Sequence, residues 1–509
     1  MAEVLFTHSY ILRHDPKEYR AMTPYPPLGT LYAAAAVRRA GRGVALFDAM
    51  LAPSEWGVLE SIDTHTPRTL VIYDDDFNYL TKMCLTRMRE AAFRMAMLAR
   101  ERGLRVIAHG SDATDHPAEY FAAGVEFILI GEAEETLVEL LDALDGSSTA
   151  RPEEIAGVAL RNERGEIVRG PKRAAHRDLD ALPRPARDLV DIEAYRQLWS
   201  ERHGHFSLNI VTTRGCPFHC NWCAKPLHGQ VYHTHSPQRV AAEMAEAKRE
   251  WGADHIWFCD DIFGLKPGWI AELADELERL DLHLPFKCLS RADLLLRGTT
   301  IDDLRRAGCR TVWMGAESGS QKILDAMEKG TRVEQIEEAT ARLKAAGIRV
   351  GFFLQFGYPG EEKEEIEATL RMVRRTLPDE IGISVSYPLP GTPFYERVIA
   401  EMGEQKNWSE SADLAMMFRG AYSTAYYRAL SLYVHKEHRL RLGLQALKRI
   451  ARDPRLATPS LLRRIILMPY YAAMRGLHRR TLKRLAGSDD EAIGDTINGV
   501  GSELLSTSS

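Results

Sequence analysis

Thr212-Thr213-Arg214-Gly215-Cys216-Pro217-Phe218-His219-Cys220-Asn221-Trp222-Cys223 carries three cysteines spaced C-x3-C-x2-C, directly after the apolar run Leu208 to Val211. A tight loop of this spacing can aim three thiolates at one point. Iron–sulfur clusters usually take four cysteine thiolates, and the next cysteine is as far away as Cys259. One metal position is therefore left open, and an open position is where chemistry rather than structural support is expected. Taken alone, the loop also admits a structural zinc completed by His219 or His228.

The chain around this loop has 509 residues, enough for two to four domains. Its hydrophobic content of 45% and charged content of 27% are those of an ordinary globular protein. A net charge of -5 disfavours nucleic acid as a general partner. The start, Met1 to Phe6, has no basic stretch leading into an apolar core. Ile465 to Met474 is far short of the ~20 residues that span a bilayer. A cytoplasmic protein is expected. Seven cysteines, three of them clustered, suit a metal site in a reducing compartment better than a disulfide framework. Cys84, Cys259, Cys288 and Cys309 read as small buried residues, and His233 and His235 as surface residues.

Upstream of the loop, Val4 to Thr7, Val44 to Phe47, Leu70 to Tyr73, Val106 to His109 and Phe127 to Ile130 read as buried parallel strands separated by helical stretches. This alternation over residues 1–150 predicts an α/β, open doubly wound sheet with ligands at the carboxyl ends of its strands. Those ends are Tyr73 to Asn78, Gly110 to Thr114 and Gly131 to Thr136. No G-x-G-x-x-G follows the first strand, which disfavours a dinucleotide. Residues 151–204 read as a hairpin turning at Asn162 to Gly165 and a proline-stiffened connection, Leu182 to Arg187.

From 205 to 400 strands and longer helices alternate six times, which predicts a partial parallel β/α barrel with its site at the carboxyl ends of the strands. The cysteine loop follows the first of these strands. Residues 401–509 read as helical. Between Ala421 and Leu485 the only acids are Glu437 and Asp453, against a long series of Arg and Lys interleaved with Leu, Ile, Tyr and Met. A basic amphipathic segment of this kind can cap the barrel or lie on an anionic membrane surface. The Ser-, Gly- and acid-rich tail after Gly487 is expected to be disordered.

The cysteine loop, with Trp222 before its last cysteine, resembles the cluster loop of radical S-adenosylmethionine (SAM) enzymes. The resemblance continues through Phe258-Cys259-Asp260-Asp261-Ile262-Phe263, Gly315-Ala316-Glu317-Ser318-Gly319-Ser320, Phe353 to Glu361 and Pro388 to Pro393. With the preceding open sheet, the chain is similar to the cobalamin-binding subfamily, which includes radical C-methyltransferases and the anaerobic magnesium-protoporphyrin ester cyclase. The resemblance covers roughly residues 1 to 400. It implies a flavodoxin-like, Rossmann-type cobalamin domain before a partial (β/α)6 TIM-type barrel. It also implies a 4Fe-4S cluster on Cys216, Cys220 and Cys223, with SAM chelating the free iron and cleaved to methionine and a 5′-deoxyadenosyl radical.

By position, Trp222 would lie near the adenine, and Asp260 and Asp261 would meet the methionine ammonium. Glu317 and Ser318 would reach the ribose or amino-acid portion, and Gln355 the adenine, while Arg291 would pair with the SAM carboxylate. Asp76, Asn78, Ser111, Asp112, Gly131 and Glu132 are the candidate cobalamin contacts. No D-x-H-x-x-G occurs, so histidine ligation of cobalt is not expected. The implied reaction is methylation of an unactivated carbon in a small, lipophilic substrate such as an isoprenoid lipid or tetrapyrrole. A flavodoxin or ferredoxin would supply electrons. The alternatives are a radical cyclase, oxidase or rearrangement enzyme and, outside enzymology, a zinc-bound scaffold or cobalamin sensor.

Overall fold

The computed structural model describes residues 2–75, 77–225 and 227–505, with side chains as far as Gly487. Seven strands form the first sheet: β1 (Val4–Thr7), β2 (Val44–Leu46), β3 (Thr69–Tyr73), β4 (Arg105–His109), β5 (Phe127–Leu129), β6 (Val158–Arg161) and β7 (Ile167–Arg169). Their order is β2-β1-β3-β4-β5-β6-β7. The first five are parallel, and the β6–β7 hairpin extends the sheet antiparallel to β5.

Near-continuous apolar strands are what a sheet covered on both faces needs. Leu5, Leu70, Ile72, Val106 and Ala108 pack on one face with Ala92, Met95 and Ala96 of the helix Thr86–Glu101. Val4, Phe6, Val71, Tyr73, Ile107 and Leu129 pack on the other with helices Leu28–Arg39 and Glu134–Asp145. The sheet is thus doubly wound, as its pattern predicts.

The second sheet holds six parallel strands in the order β15-β14-β13-β12-β11-β8. They are β8 (Ser207–Ile210), β11 (His255–Phe258), β12 (Phe286–Ser290), β13 (Cys309–Glu317), β14 (Arg349–Phe356) and β15 (Glu380–Val385). A two-stranded antiparallel ribbon, β9 (Thr213–Arg214) with β10 (His233–Thr234), lies between β8 and β11 in the chain. Leu208, Ile256, Phe286, Val312, Phe352 and Leu354 point outward into one core with the surrounding helices. On the inner face the wall is unfilled: Trp313 and Phe353 meet at 4.7 Å, and Phe353 remains 36% exposed. The sheet is an open partial barrel.

Behind the fourth strand, Gly319 explains one of the sequence motifs. A Cβ there would lie 2.6 Å from the Ala368 carbonyl oxygen and 2.7 Å from Thr369 Cα. The Ser318 hydroxyl meets that of Thr369 at 3.1 Å, so the turn is seated directly on the helix Lys363–Thr376.

The C-terminal region folds as helices Thr424–Arg452 and Pro459–Ile466 and the helix Met468–Leu505. The tail after Gly487, expected to be disordered, lies beyond the described side chains. Arg374 of the barrel pairs with Glu437 at 2.9 Å, and His438 meets the Pro378 carbonyl at 2.7 Å, so the first of these helices is docked beside β15. The irregular stretch before it ties the two sheets together: the Tyr387 hydroxyl donates to the Met83 carbonyl at 2.7 Å, and Thr86 N–H to the Trp408 carbonyl at 2.9 Å.

Gly319→Ala forces the turn off that helix and should destabilise the protein by about 1–3 kcal/mol. Anaerobic urea denaturation checks this, the expected result being a lower midpoint with an unchanged slope.

Candidate active site

The cysteine loop leaves the sheet after β8, so its first backbone N–H groups have no strand partner. Asp260, at the end of neighbouring β11, takes them. Its carboxylate accepts from Thr212 N–H at 2.6 Å, Thr213 N–H at 2.7 Å, the Thr212 hydroxyl at 2.8 Å and the Thr213 hydroxyl at 3.0 Å. Burial pushes the Asp260 acid up to about 7 against these four donors. Gly215 closes the anchor at φ 79°, and a Cβ there would fall 2.3 Å from the Val231 carbonyl oxygen. The β9–β10 ribbon thus clamps both ends of the loop.

Within it, Cys216, Cys220 and Cys223 are free and half-buried, whereas Cys84, Cys259, Cys288 and Cys309 are buried, as expected of small apolar residues. Burial raises the thiols of Cys216 and Cys223, the latter to about 12, and a bound metal cation would offset this by holding them as thiolates. Among the described residues, the only three metal-ligating atoms gathered within 4.8 Å of one another belong to Glu362, Glu364 and Glu365. A polynuclear cluster would distribute the three thiolates over different iron atoms. The two histidines that could complete a zinc site are otherwise placed. His219 is exposed, and His228 faces Glu132 at 3.3 Å and stacks on Phe77 at 5.6 Å.

Cations surround the loop. The Arg291 guanidinium lies 3.7 Å over the Phe218 ring and 3.8 Å from Cys220 Sγ, fixed by Asp293 at 2.9 Å and the Lys329 carbonyl at 2.8 Å. Lys329 is buried 2.8 Å from Glu317. Burial opposes its charge, but Glu317 and Cys220 outweigh burial and raise the ammonium above its usual range. Glu317 ends β13 at a left-handed φ of 56°, an uncommon conformation for a side chain of this size. A Cβ on Gly315 would fall 2.6 Å from Glu317 Oε1 and 2.7 Å from Lys329 Nζ. Asn221 secures the loop from below, donating to the Ala326 carbonyl at 2.9 Å and accepting from the Tyr358 hydroxyl at 2.8 Å. Beside it, the buried Trp222 Nε1 has no hydrogen-bond acceptor.

The carboxyl ends of the first sheet face this loop. Arg214, two residues before Cys216, reaches Glu134 at 2.5 Å and Glu132 at 3.6 Å, all three buried. Burial alone would raise the Glu134 acid, but the guanidinium holds it down at about 2. Lys82 crosses the same boundary to Asp261 at 2.6 Å.

The residues singled out from the sequence divide accordingly. Cys216, Cys220, Cys223, Trp222, Arg291 and Glu317 gather at the loop. Asp260 is adjacent but acts through Thr212 and Thr213, and Asp261 sits at the boundary with Lys82. Ser318 is buried against Thr369, while Gln355 donates to the Ser386 hydroxyl at 2.9 Å. In the first domain, Asp112 is held by Arg89 at 2.5 Å and by the Tyr120 hydroxyl at 2.9 Å. Glu132 is held by Arg214, His228 and His176 N–H. Ser111 is buried, Gly131 turns at φ 81°, and Asn78 accepts from Leu80 N–H at 3.0 Å. Asp76 lies outside the described residues.

His235 is buried rather than superficial, because Asp180 binds it at 3.0 Å and the Trp269 indole donates to its carbonyl. Arg214, Lys329, Lys82 and Glu134 were missed. Only Arg214 carried a signal, a cation beside the first cysteine.

The fold and the loop together resemble a radical SAM barrel that follows an open parallel sheet. Residues 210–373 match the family model described as the Radical SAM superfamily, so this part of the chain is a radical SAM domain. The chain is similar to the uncharacterized methyltransferase PH0819 of Pyrococcus horikoshii, with 27% identity over 428 residues, 80% of this chain and 89% of the relative. It is also similar to the anaerobic magnesium-protoporphyrin IX monomethyl ester cyclase of Synechocystis sp., with 25% identity over 410 residues, 78% of each chain. Among solved structures, the cobalamin-dependent S-adenosylmethionine radical enzyme OxsB superposes with a TM-score of 0.70. The match has 17% identity and covers 98% of this chain and 75% of OxsB; it extends the shared fold across both sheets.

Arg214→Met leaves Glu132 and Glu134 buried without their cation and should cost about 3–5 kcal/mol. Adding Glu134→Leu should recover part of that loss, as read from denaturation midpoints of the anaerobic protein.

Proposed function

We propose that this chain methylates an unactivated carbon of a lipophilic small molecule, using a 4Fe-4S cluster, SAM and cobalamin. The observation that carries the reading is the three-cysteine loop, anchored by Asp260 and facing the strand ends of the open sheet. Cys216, Cys220 and Cys223 would hold the cluster. When bound, the cluster would supply the electron that cleaves SAM, and cobalamin would carry the methyl group.

The protein's part is positioning. Asp260 fixes the loop through Thr212 and Thr213, and Arg291 sets a cation against Cys220. Trp222 offers an unpaired N–H beside the cysteines, where a nucleoside could accept it. Asp261, Glu317, Ser318 and Gln355 remain the proposed SAM contacts, with Ser318 and Gln355 acting through the backbone they support. The corrinoid would occupy the carboxyl ends of β3 to β5. Asp112 and Glu132 are committed to protein partners there, so backbone groups at Ser111 and Gly131, with Asn78, would make the contacts. The likeness to a cobalamin-dependent radical enzyme supports this placement.

A cyclase or oxidase reaction on a tetrapyrrole is the second reading, favoured by the similarity to the magnesium-protoporphyrin ester cyclase. The anaerobically reconstituted protein, given reductant, methyl-labelled SAM and a lipid extract, separates the two. Methylation predicts 5′-deoxyadenosine and label in an extracted lipid, whereas 5′-deoxyadenosine without label supports the second reading. Zinc in place of iron, or no 5′-deoxyadenosine, overturns both. Cys216→Ala, Cys220→Ala and Cys223→Ala should each reduce 5′-deoxyadenosine to background.

The proposed partners are a cytoplasmic flavodoxin or ferredoxin and an anionic membrane surface. Among the described residues no helix is long and apolar enough to cross a membrane. Ile466, Tyr470 and Leu477 are at least half exposed amid Arg463, Arg479, Arg480 and Lys483, the composition of a segment that rests on anionic lipid. Sedimentation with phosphatidylserine vesicles at low salt, and release at high salt, is the expected result.

A further inference from the structure

A second pocket lies away from the cysteines, where the helix Thr424–Arg452 passes the amino end of β15. Its volume is about 320 Å³, within the range that takes small organic ligands. Two glycines make room for it. At Gly351 a Cβ would fall 2.5 Å from the Trp313 ring, so the indole lies flat across β14 and reaches Gly382 at 3.4 Å. At Gly443 a Cβ would fall 2.6 Å from Met468 Cγ and 3.0 Å from the Arg464 carbonyl oxygen, so the second and third C-terminal helices press close and bring Arg464 to the rim.

The lining combines four aromatic or apolar side chains, two arginines, two histidines and two acids. Trp313, Ile381, Leu442 and Tyr471 form the walls, and Arg439 and Arg464 stand over them. Arg439 lies 5.9 Å over the Tyr471 ring, and neither arginine has a carboxylate partner among the described residues. The two acids at the pocket are occupied elsewhere: Glu380 pairs with Arg349 at 2.5 Å, and Asp379 accepts from Val350 N–H at 2.9 Å. His438 is bound to the Pro378 carbonyl. His435 is held down to about 4 by burial and then by the positive charge of Arg439, His438, Lys17 and Lys436. Two guanidinium groups with no carboxylate partner among the described residues, beside aromatic side chains, form a recognition element for a planar or tetrahedral oxyanion joined to an apolar body.

We propose that this pocket binds an amphiphilic anion, with Arg439 and Arg464 on its phosphate or carboxylate and Trp313 and Tyr471 on its apolar part. No residue of the cysteine loop lines the pocket, and occupancy requires no turnover, so the proposal is tested independently of the proposed reaction.

Calorimetric titration of the full-length protein with soluble dihexanoylphosphatidic acid, inorganic phosphate and dihexanoylphosphatidylcholine tests it. The phosphatidic acid is expected to bind at least tenfold more tightly than either of the others. Comparable binding of inorganic phosphate alone would make this a simple anion site, and comparable binding of the choline lipid a simple apolar one; either overturns the proposal. Arg439→Gln/Arg464→Gln should weaken phosphatidic acid at least tenfold, and Trp313→Leu should weaken it while leaving phosphate unaffected. Arg310→Gln/Arg371→Gln, which removes the same charge at exposed positions outside the pocket, should change nothing. If that control pair weakens binding as much as the pocket pair, the attraction is diffuse and the proposal fails. Circular dichroism and iron content of each variant establish that it is folded.

Discussion

A loop that leaves a parallel sheet to present three thiols abandons its strand partners, and its first amide groups are buried. Such groups must find an acceptor. Here the acceptor is one carboxylate, Asp260, which collects two amides and two hydroxyls from consecutive threonines. Every other feature of the site depends on this junction. The cysteines follow within a few residues, the ribbon closes behind them, and Arg291 and Asn221 meet a loop whose entry is already fixed. Asp260 Oδ1 has to remain an acceptor because it takes both amides, whereas Oδ2 meets only the Thr212 hydroxyl, so the constraint is chemical as well as steric.

The second constraint is the contact between the sheets. Arg214 belongs to the clamped segment, yet its partners Glu132 and Glu134 belong to the first domain. Lys82 and Asp261 repeat the exchange with the charges reversed in origin. Because the Arg214 group is buried, separating the domains would expose charges whose pairing is part of the folded state. The cysteine loop and the strand ends opposite it are therefore held in one arrangement.

Most of the architecture was legible in the chain. The five parallel strands of the first sheet fall within one residue of their observed bounds, and the six alternations after residue 205 correspond to the six strands of the second, because two-faced burial writes continuous apolar runs. The loop was legible because three cysteines at close spacing have few other uses. What escaped was tertiary. Asp260 reads as a ligand for a cation, and only the structure shows it facing Thr212 and Thr213. Lys329 lies in no motif, and its role follows from the left-handed turn at Glu317 and the bare Gly315, which bring the ion pair to the loop. His235 reads as superficial because nothing local announces Asp180. The hairpin at residues 158–169 was legible as a hairpin, but not as the edge of the first sheet.

The unfilled inner wall, where Trp313 leans on Phe353 across strands bearing glycine, has a consequence for how such a protein diversifies. A closed barrel must accommodate any new substrate by altering strands that also carry the cluster. An open one borders its cavity with helices that hold no part of the reaction centre. Residues on those C-terminal helices can drift in size and charge without disturbing the junction at Asp260, so selection for a new substrate and preservation of the radical chemistry act on different parts of the chain.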